Sequence, residues 1–78
     1  MLTGEQLRAA RAILRIEQKD LAIAADVSVE TIKRLEKMRG KVSGNIGTID
    51  AIKSALEAAG VEFIPENGGG AGVRLRKV

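Results

Sequence analysis

The stretch Gln18-Lys19-Asp20-Leu21-Ala22-Ile23-Ala24-Ala25-Asp26-Val27-Ser28-Val29-Glu30-Thr31-Ile32-Lys33-Arg34-Leu35-Glu36 decides the fold. From Glu17 to Asp26 it is rich in alanine, and Leu21, Ala22 and Ala25 share one face of a short helix. Asp26-Val27-Ser28 then ends that helix and starts another. Ser28 is a good N-cap, Glu30 sits in the positive first turn, and Val27 can staple to Ile32. In this next helix, predicted from Ser28 to about Lys37, Ile32 and Leu35 face inward while Glu30, Lys33, Arg34 and Lys37 project outward.

Upstream, Thr3 and Gln6 have the spacing of a capping box and Leu2 can staple to Leu7, which predicts a first helix ending near Arg15. Leu7, Ala10, Arg11 and Leu14 fall on its inner face, so one inward position is charged. Downstream, residues 38–47 hold three glycines and no clear period, and read as a loop. Thr48 is the expected cap of a fourth helix with Ile49, Ile52, Leu56 and Ala59 at helical spacing, and Gly60 is its stop. Beyond it, Val61-Glu62-Phe63-Ile64 and the run from Val73 to Val78 alternate at period two about Pro65 and a glycine-rich stretch, a β-hairpin pattern. The expected fold is mainly α, a helix-turn-helix bundle of four helices (residues 1–60) followed by a C-terminal β-hairpin (residues 61–78).

The chain has 78 residues and 45% hydrophobic content with a single aromatic, Phe63, so it can build one core, from Leu, Ile, Val and Ala. A core of this size stabilises a domain by only roughly 3–5 kcal/mol, and a homodimer is a natural supplement. Cysteine and histidine are absent. That leaves no disulfide, no thiolate or imidazole metal site, no Cys nucleophile and no imidazole base; neither an enzyme nor a cofactor is expected. No long apolar run opens the chain, so neither a signal peptide nor a membrane span is expected, and the cytoplasm is the expected compartment. The net charge of +3 is modest but local. Lys33, Arg34, Lys37, Arg39 and Lys41 cluster with only Glu36 among them, whereas Glu17, Asp20 and Asp26 keep the preceding segment near neutral.

Two short helices joined by a tight turn, the second with a projecting polar face, fit the DNA major groove. The run Gln18, Asp20, Leu21, Ala22 and then Ser28, Thr31, Ile32, Leu35, Glu36 resembles the phage-repressor and Cro-like, or XRE-type, helix-turn-helix family, over about Leu7 to Gly60. The resemblance implies a transcriptional regulator, a repressor that binds double-stranded DNA as a homodimer. It places Val29, Glu30, Lys33 and Arg34 at base edges, and Gln18 on phosphate at the start of the second helix. Chemistry favours the same groups: Lys33 and Arg34 can donate to guanine, Glu30 can accept from cytosine, and Val29 can meet a thymine methyl. Thr31, Lys37, Arg39, Lys41, Ser43 and Asn45 are expected at phosphate. The family also pairs an arginine of the first helix with the glutamate ending the third, here Arg11 and Glu36, a structural tie between helices.

Two features depart from the family pattern. Lys37-Met38-Arg39 precedes Gly40 where a glycine usually comes sooner, so the third helix could extend further. A hairpin also stands where a fifth helix usually follows. Phe63, Val73 and Leu75 of that hairpin are candidate dimer contacts; the alternative is that the hairpin covers its own core. The run Asn67-Gly68-Gly69-Gly70-Ala71-Gly72 has no following helix and no Gly-Lys-Ser/Thr, so it reads as a flexible hairpin loop rather than a phosphate loop. A different class of function is a protein-interaction module, antitoxin-like or an adaptor, with a protein partner on the helical surface or hairpin.

Overall fold

Thr3 starts the first helix as its spacing predicts: its hydroxyl accepts from the Gln6 N–H while the Gln6 side chain accepts from the Thr3 N–H, each at 3.0 Å. In the computed structural model, which describes residues 2–76, this cap opens α1 (Gly4–Leu14), followed by α2 (Gln18–Ala25), α3 (Val29–Glu36), α4 (Ile46–Ala58), β1 (Val61–Ile64) and β2 (Gly72–Leu75). Among the described residues, four helices and a two-stranded antiparallel hairpin make a mainly helical fold. Lys77 and Val78, included in the expected second strand, lie outside the described residues.

The first two helices end on non-glycine residues in the left-handed region. Arg15 has φ 57° and Asp26 φ 56°. After each, the chain folds back: the Ile16 N–H reaches Arg11 O at 3.2 Å and the Val27 N–H reaches Ala22 O at 3.0 Å. A side chain in this region costs roughly 1–2 kcal/mol, which Asp tolerates better than most residues. At Asp26 this conformation leaves only Asp26, Val27 and Ser28 between α2 and α3. Ser28 then caps α3 by accepting from the Thr31 N–H at 3.2 Å. α3 stops at Glu36, with Lys37 as its C-cap, so the extension that Lys37-Met38-Arg39 allowed does not occur.

The fourth helix starts earlier than expected. Asn45, not Thr48, is the N-cap, and its side-chain oxygen accepts from the Thr48 N–H at 3.0 Å. Asn is the stronger cap of the two, and Gly47 is tolerated in the first turn, where packing against the core is slight.

Every element contributes to one core except β2, whose Val73 packs against its margin. Leu7 and Ala10 of α1, Leu21, Ala22 and Ala25 of α2, Ile32 and Leu35 of α3, Ile52 and Leu56 of α4 and Val61 of β1 are buried, together with Leu2 and Val42. Each large aliphatic side chain buried this way contributes about 1.5–3 kcal/mol. The alanines of α2 let that helix sit close to both α3 and α4, against which it packs.

Gly60, at φ 118°, turns the chain sharply from α4 into β1. The strands pair Val61 with Leu75 and Phe63 with Val73, so these four side chains lie on one face. Phe63 and Val73 pack against the helical core. Of the three residues expected at a dimer contact, only Leu75 is largely exposed, at 59%. Gln6 fixes the hairpin from beneath: its buried side chain donates through Nε2 to Ile64 O at 3.2 Å and Gly72 O at 2.8 Å. The glycine-rich loop carries hydrogen bonds of its own. The Glu66 carboxylate accepts from the Gly68 and Gly70 N–H groups at 2.8 and 2.9 Å, which holds its carboxyl below the usual carboxylate range and fills the amide cradle a phosphate would need.

A tight contact joins the two ends of the α1–α3 pair. A Cβ added at Gly4 would lie 2.0 Å from Met38 O and 3.0 Å from Leu35 O, both backbone atoms. Gly4→Ala is therefore expected to destabilise the fold by about 2–3 kcal/mol and lower Tm by roughly 10 °C or more. Calorimetric melting of the two proteins measures this directly.

Candidate nucleic-acid interface

α3 is held by its inner residues and leaves its outer face open. Ile32 and Leu35 are fully buried, whereas Glu30, Lys33, Arg34 and Lys37 are exposed. Val29, expected at a base edge, is half-buried and packs against the core margin, so only part of it is available to a groove. The Arg34 guanidinium lies over the loop that follows α3. A Cβ added at Gly44 would come within 3.6 Å of it, and Gly44 itself has φ 144°.

Glu36 is buried at the base of α3, with Arg11 as its main partner. Arg11 grips it at both oxygens, Nε to Oε2 at 2.7 Å and Nη2 to Oε1 at 3.0 Å, a bidentate pair between α1 and α3. These hydrogen bonds hold the guanidinium charged more firmly than usual. Its Nη1 also donates to Ile16 O at 3.1 Å, in the link to α2. Arg8, one turn earlier, donates to the Glu36 backbone carbonyl at 2.6 Å and so closes the C-terminal end of α3. Lys33, Arg34, Lys37, Arg39 and Lys41 are exposed, while the Glu36 carboxylate is turned to Arg11.

Several residues expected at phosphate have structural work inside the protein. Gln18 is half-buried and donates through Nε2 to Glu36 Oε1 at 3.0 Å, so one amide hydrogen remains for phosphate. The Thr31 hydroxyl exchanges a hydrogen bond with Ser28 at 2.9 Å inside the α3 cap. Ser43 directs its N–H and its hydroxyl at the Met38 sulfur, and Asn45 caps α4. Lys37, Arg39 and Lys41 are the exposed cations of this group.

The loop that carries Arg39 and Lys41 is tied to the chain's start. The Gly4 N–H donates to Gly40 O at 3.1 Å, the Val42 N–H to Leu2 O at 2.9 Å, and Thr3 and Lys41 form an antiparallel bridge. Glu5 completes the tie by accepting from the Gly40 N–H at 3.0 Å. Hydrogen bonds from its own and the Gly40 amides hold the Glu5 carboxyl below its ordinary value of 4.5. The folded value is the lower one, so the tie contributes fully above the ordinary value and is lost as pH falls through the lowered one.

Sequence reasoning missed Gly4, Glu5, Arg8 and the second role of Gln6. Arg8 had a local signal, since Arg8 and Arg11 share a helix face at a three-residue spacing. Gln6 had none, because its hairpin partners are Ile64 and Gly72. Among the described residues no group of three or more His, Cys, Asp or Glu could hold a metal ion, and no helix is long and apolar enough to cross a membrane. Neither the scan against protein-family models nor the search of curated proteins finds a match for this chain.

The Glu36 contacts give a stability test. Glu36→Gln removes the charge while keeping the shape and leaves Arg11 without its carboxylate. The expected loss is about 2 kcal/mol, less than for a fully buried pair because Arg11 is 24% exposed. In a double-mutant cycle with Arg11→Ala, urea melts are expected to show coupling of about 1 kcal/mol or more; additive effects would contradict the pairing as a stabilising link.

Proposed function

We propose that this chain is a sequence-specific regulator of transcription that binds double-stranded DNA with α3 in the major groove, in the manner of the XRE-type proteins its sequence resembles. The observation that carries this reading is the outer face of α3. Glu30, Lys33 and Arg34 stand exposed there on a helix whose inner face is locked, and a three-residue turn sets that helix against α2.

In this reading Lys33 and Arg34 donate to guanine O6 and N7, Glu30 accepts from cytosine N4, and the exposed part of Val29 meets a thymine methyl. Lys37, Arg39 and Lys41 meet phosphate, with the remaining Gln18 amide hydrogen as a further contact. A single such unit reads few base pairs. Two copies on a two-fold operator, with half-sites about 34 Å apart or a multiple of that, give useful specificity, and occupancy of such an operator in the cytoplasm represses.

The phosphate assignment fixes the salt dependence. Binding of a random-sequence duplex, followed by fluorescence anisotropy from 50 to 200 mM salt, is expected to weaken steeply with salt. Replacing Lys37, Arg39 and Lys41 together with alanine should make the log–log slope shallower by about 2–3, whereas Lys33→Ala with Arg34→Ala should cost sequence discrimination more than slope. An unchanged slope in the triple variant would contradict the phosphate assignment.

A further inference from the structure

Among the described residues, the outer edge of β2 carries backbone groups with no hydrogen-bond partner. The Arg76 N–H donates to Gly60 O at 2.8 Å, so Gly60 and Arg76 form a hydrogen-bonded antiparallel pair. Such pairs alternate, which makes Glu62–Arg74 and Ile64–Gly72 hydrogen-bonded pairs and leaves Val61–Leu75 and Phe63–Val73 as the intervening ones. The N–H and C=O groups of Val73 and Leu75 therefore point away from β1. Among the described residues no backbone hydrogen bond from outside the hairpin engages them. The Leu75 side chain is exposed on the sheet face it shares with Val61, Phe63 and Val73, while Arg74 and Arg76 stand exposed on the opposite face.

The charges decide what fits this edge. A second copy of β2, running antiparallel and covering Leu75 with its own Val73 or Leu75, would set Arg74 against the partner's Arg74 or the partner's Arg76. Like charges directly opposite each other destabilise a pair, and cationic side chains on an edge strand are a common device against self-pairing. Glu62 offsets only part of this: among the described residues it pairs with Arg74, and no ion pair reaches Arg76.

We propose that the outer edge of β2 accepts an extended strand of a partner protein in which acidic residues alternate with apolar ones. Its acids lie against Arg74 and Arg76, and an apolar residue lies against Leu75. The backbone groups of Val73 and Leu75 supply the affinity, and the alternating side chains supply the choice of partner. The proposal does not depend on DNA binding by α3.

The test is an NMR titration of the 15N-labelled chain with an end-capped synthetic peptide of alternating glutamate and valine, beside a lysine–valine peptide of equal length. The acidic peptide is expected to shift the Val73 and Leu75 amide resonances and slow their hydrogen exchange. The Arg74 amide, already directed at β1, should change little. The lysine peptide should bind roughly tenfold more weakly, and Arg76→Glu should reverse the preference while leaving Tm unchanged. Equal binding of the two peptides, or no shift with either, overturns the proposal. A free chain that is dimeric with slow Val73 and Leu75 amides overturns it in favour of a second copy, and a DNA duplex that shifts those amides overturns it in favour of nucleic acid.

Discussion

The arrangement of the first three helices depends on the enclosure of one carboxylate. Glu36 sits at the C-terminal end of α3, is almost fully buried, and would be costly there without partners. Arg11 of α1 takes both of its oxygens, and Gln18 at the start of α2 takes one of them as well. A single acid thus joins three helices at one point. The pair does more for geometry than for net stability, because the desolvation of two charges consumes much of what their attraction gains. It ties the C-terminal end of α3 to α1 and to the start of α2.

The other constraints converge on α1. Gly4 lets the start of α1 touch the carbonyls of Leu35 and Met38, a closeness that a methyl group would forbid. Glu5 and Arg8 hold the chain just beyond and just at the end of α3. Gln6 reaches to the other side and carries the hairpin through two backbone carbonyls. One helix of 11 residues is therefore the frame on which both the basic face and the hairpin are hung. Phe63 and Val73 then pack against the core from the hairpin side, and among the described residues no backbone hydrogen bond from outside the hairpin reaches Val73 or Leu75.

What was legible in the sequence was local. The Thr3–Gln6 box, the Ser28 cap, the stop at Gly60 and the inward faces of Leu7, Leu21, Ile32, Leu35, Ile52 and Leu56 each follow from a few neighbouring residues, and the structure has them all. The Arg11–Glu36 contact was reachable only through family resemblance, since nothing in the spacing of two residues 25 apart brings them together. The start of α4 was misplaced because Asn45 and Thr48 are both good caps, and local chemistry ranks them without deciding between them. The roles of Gly4 and Gln6 were invisible because they answer to backbone atoms far along the chain. The Glu66 contacts to the Gly68 and Gly70 amides were not legible either, because composition alone does not say which side chain meets a loop's N–H groups. In the candidate interface the exposed cations were legible, while the hydrogen bonds that Gln18, Thr31, Ser43 and Asn45 make within the protein were not, because polar side chains can serve the fold or a ligand equally well.

The central claim is that the outer face of α3 reads base sequence. Selection of bound duplexes from a random pool by the purified chain, repeated with Val29, Glu30, Lys33 and Arg34 all replaced by alanine, tests it most directly. The unaltered chain is expected to enrich one short motif, with two-fold copies at a spacing of about one helical turn or a multiple of it, and the altered chain to fold but lose the motif. No enrichment even at low salt, or the same motif enriched by both proteins, would contradict it.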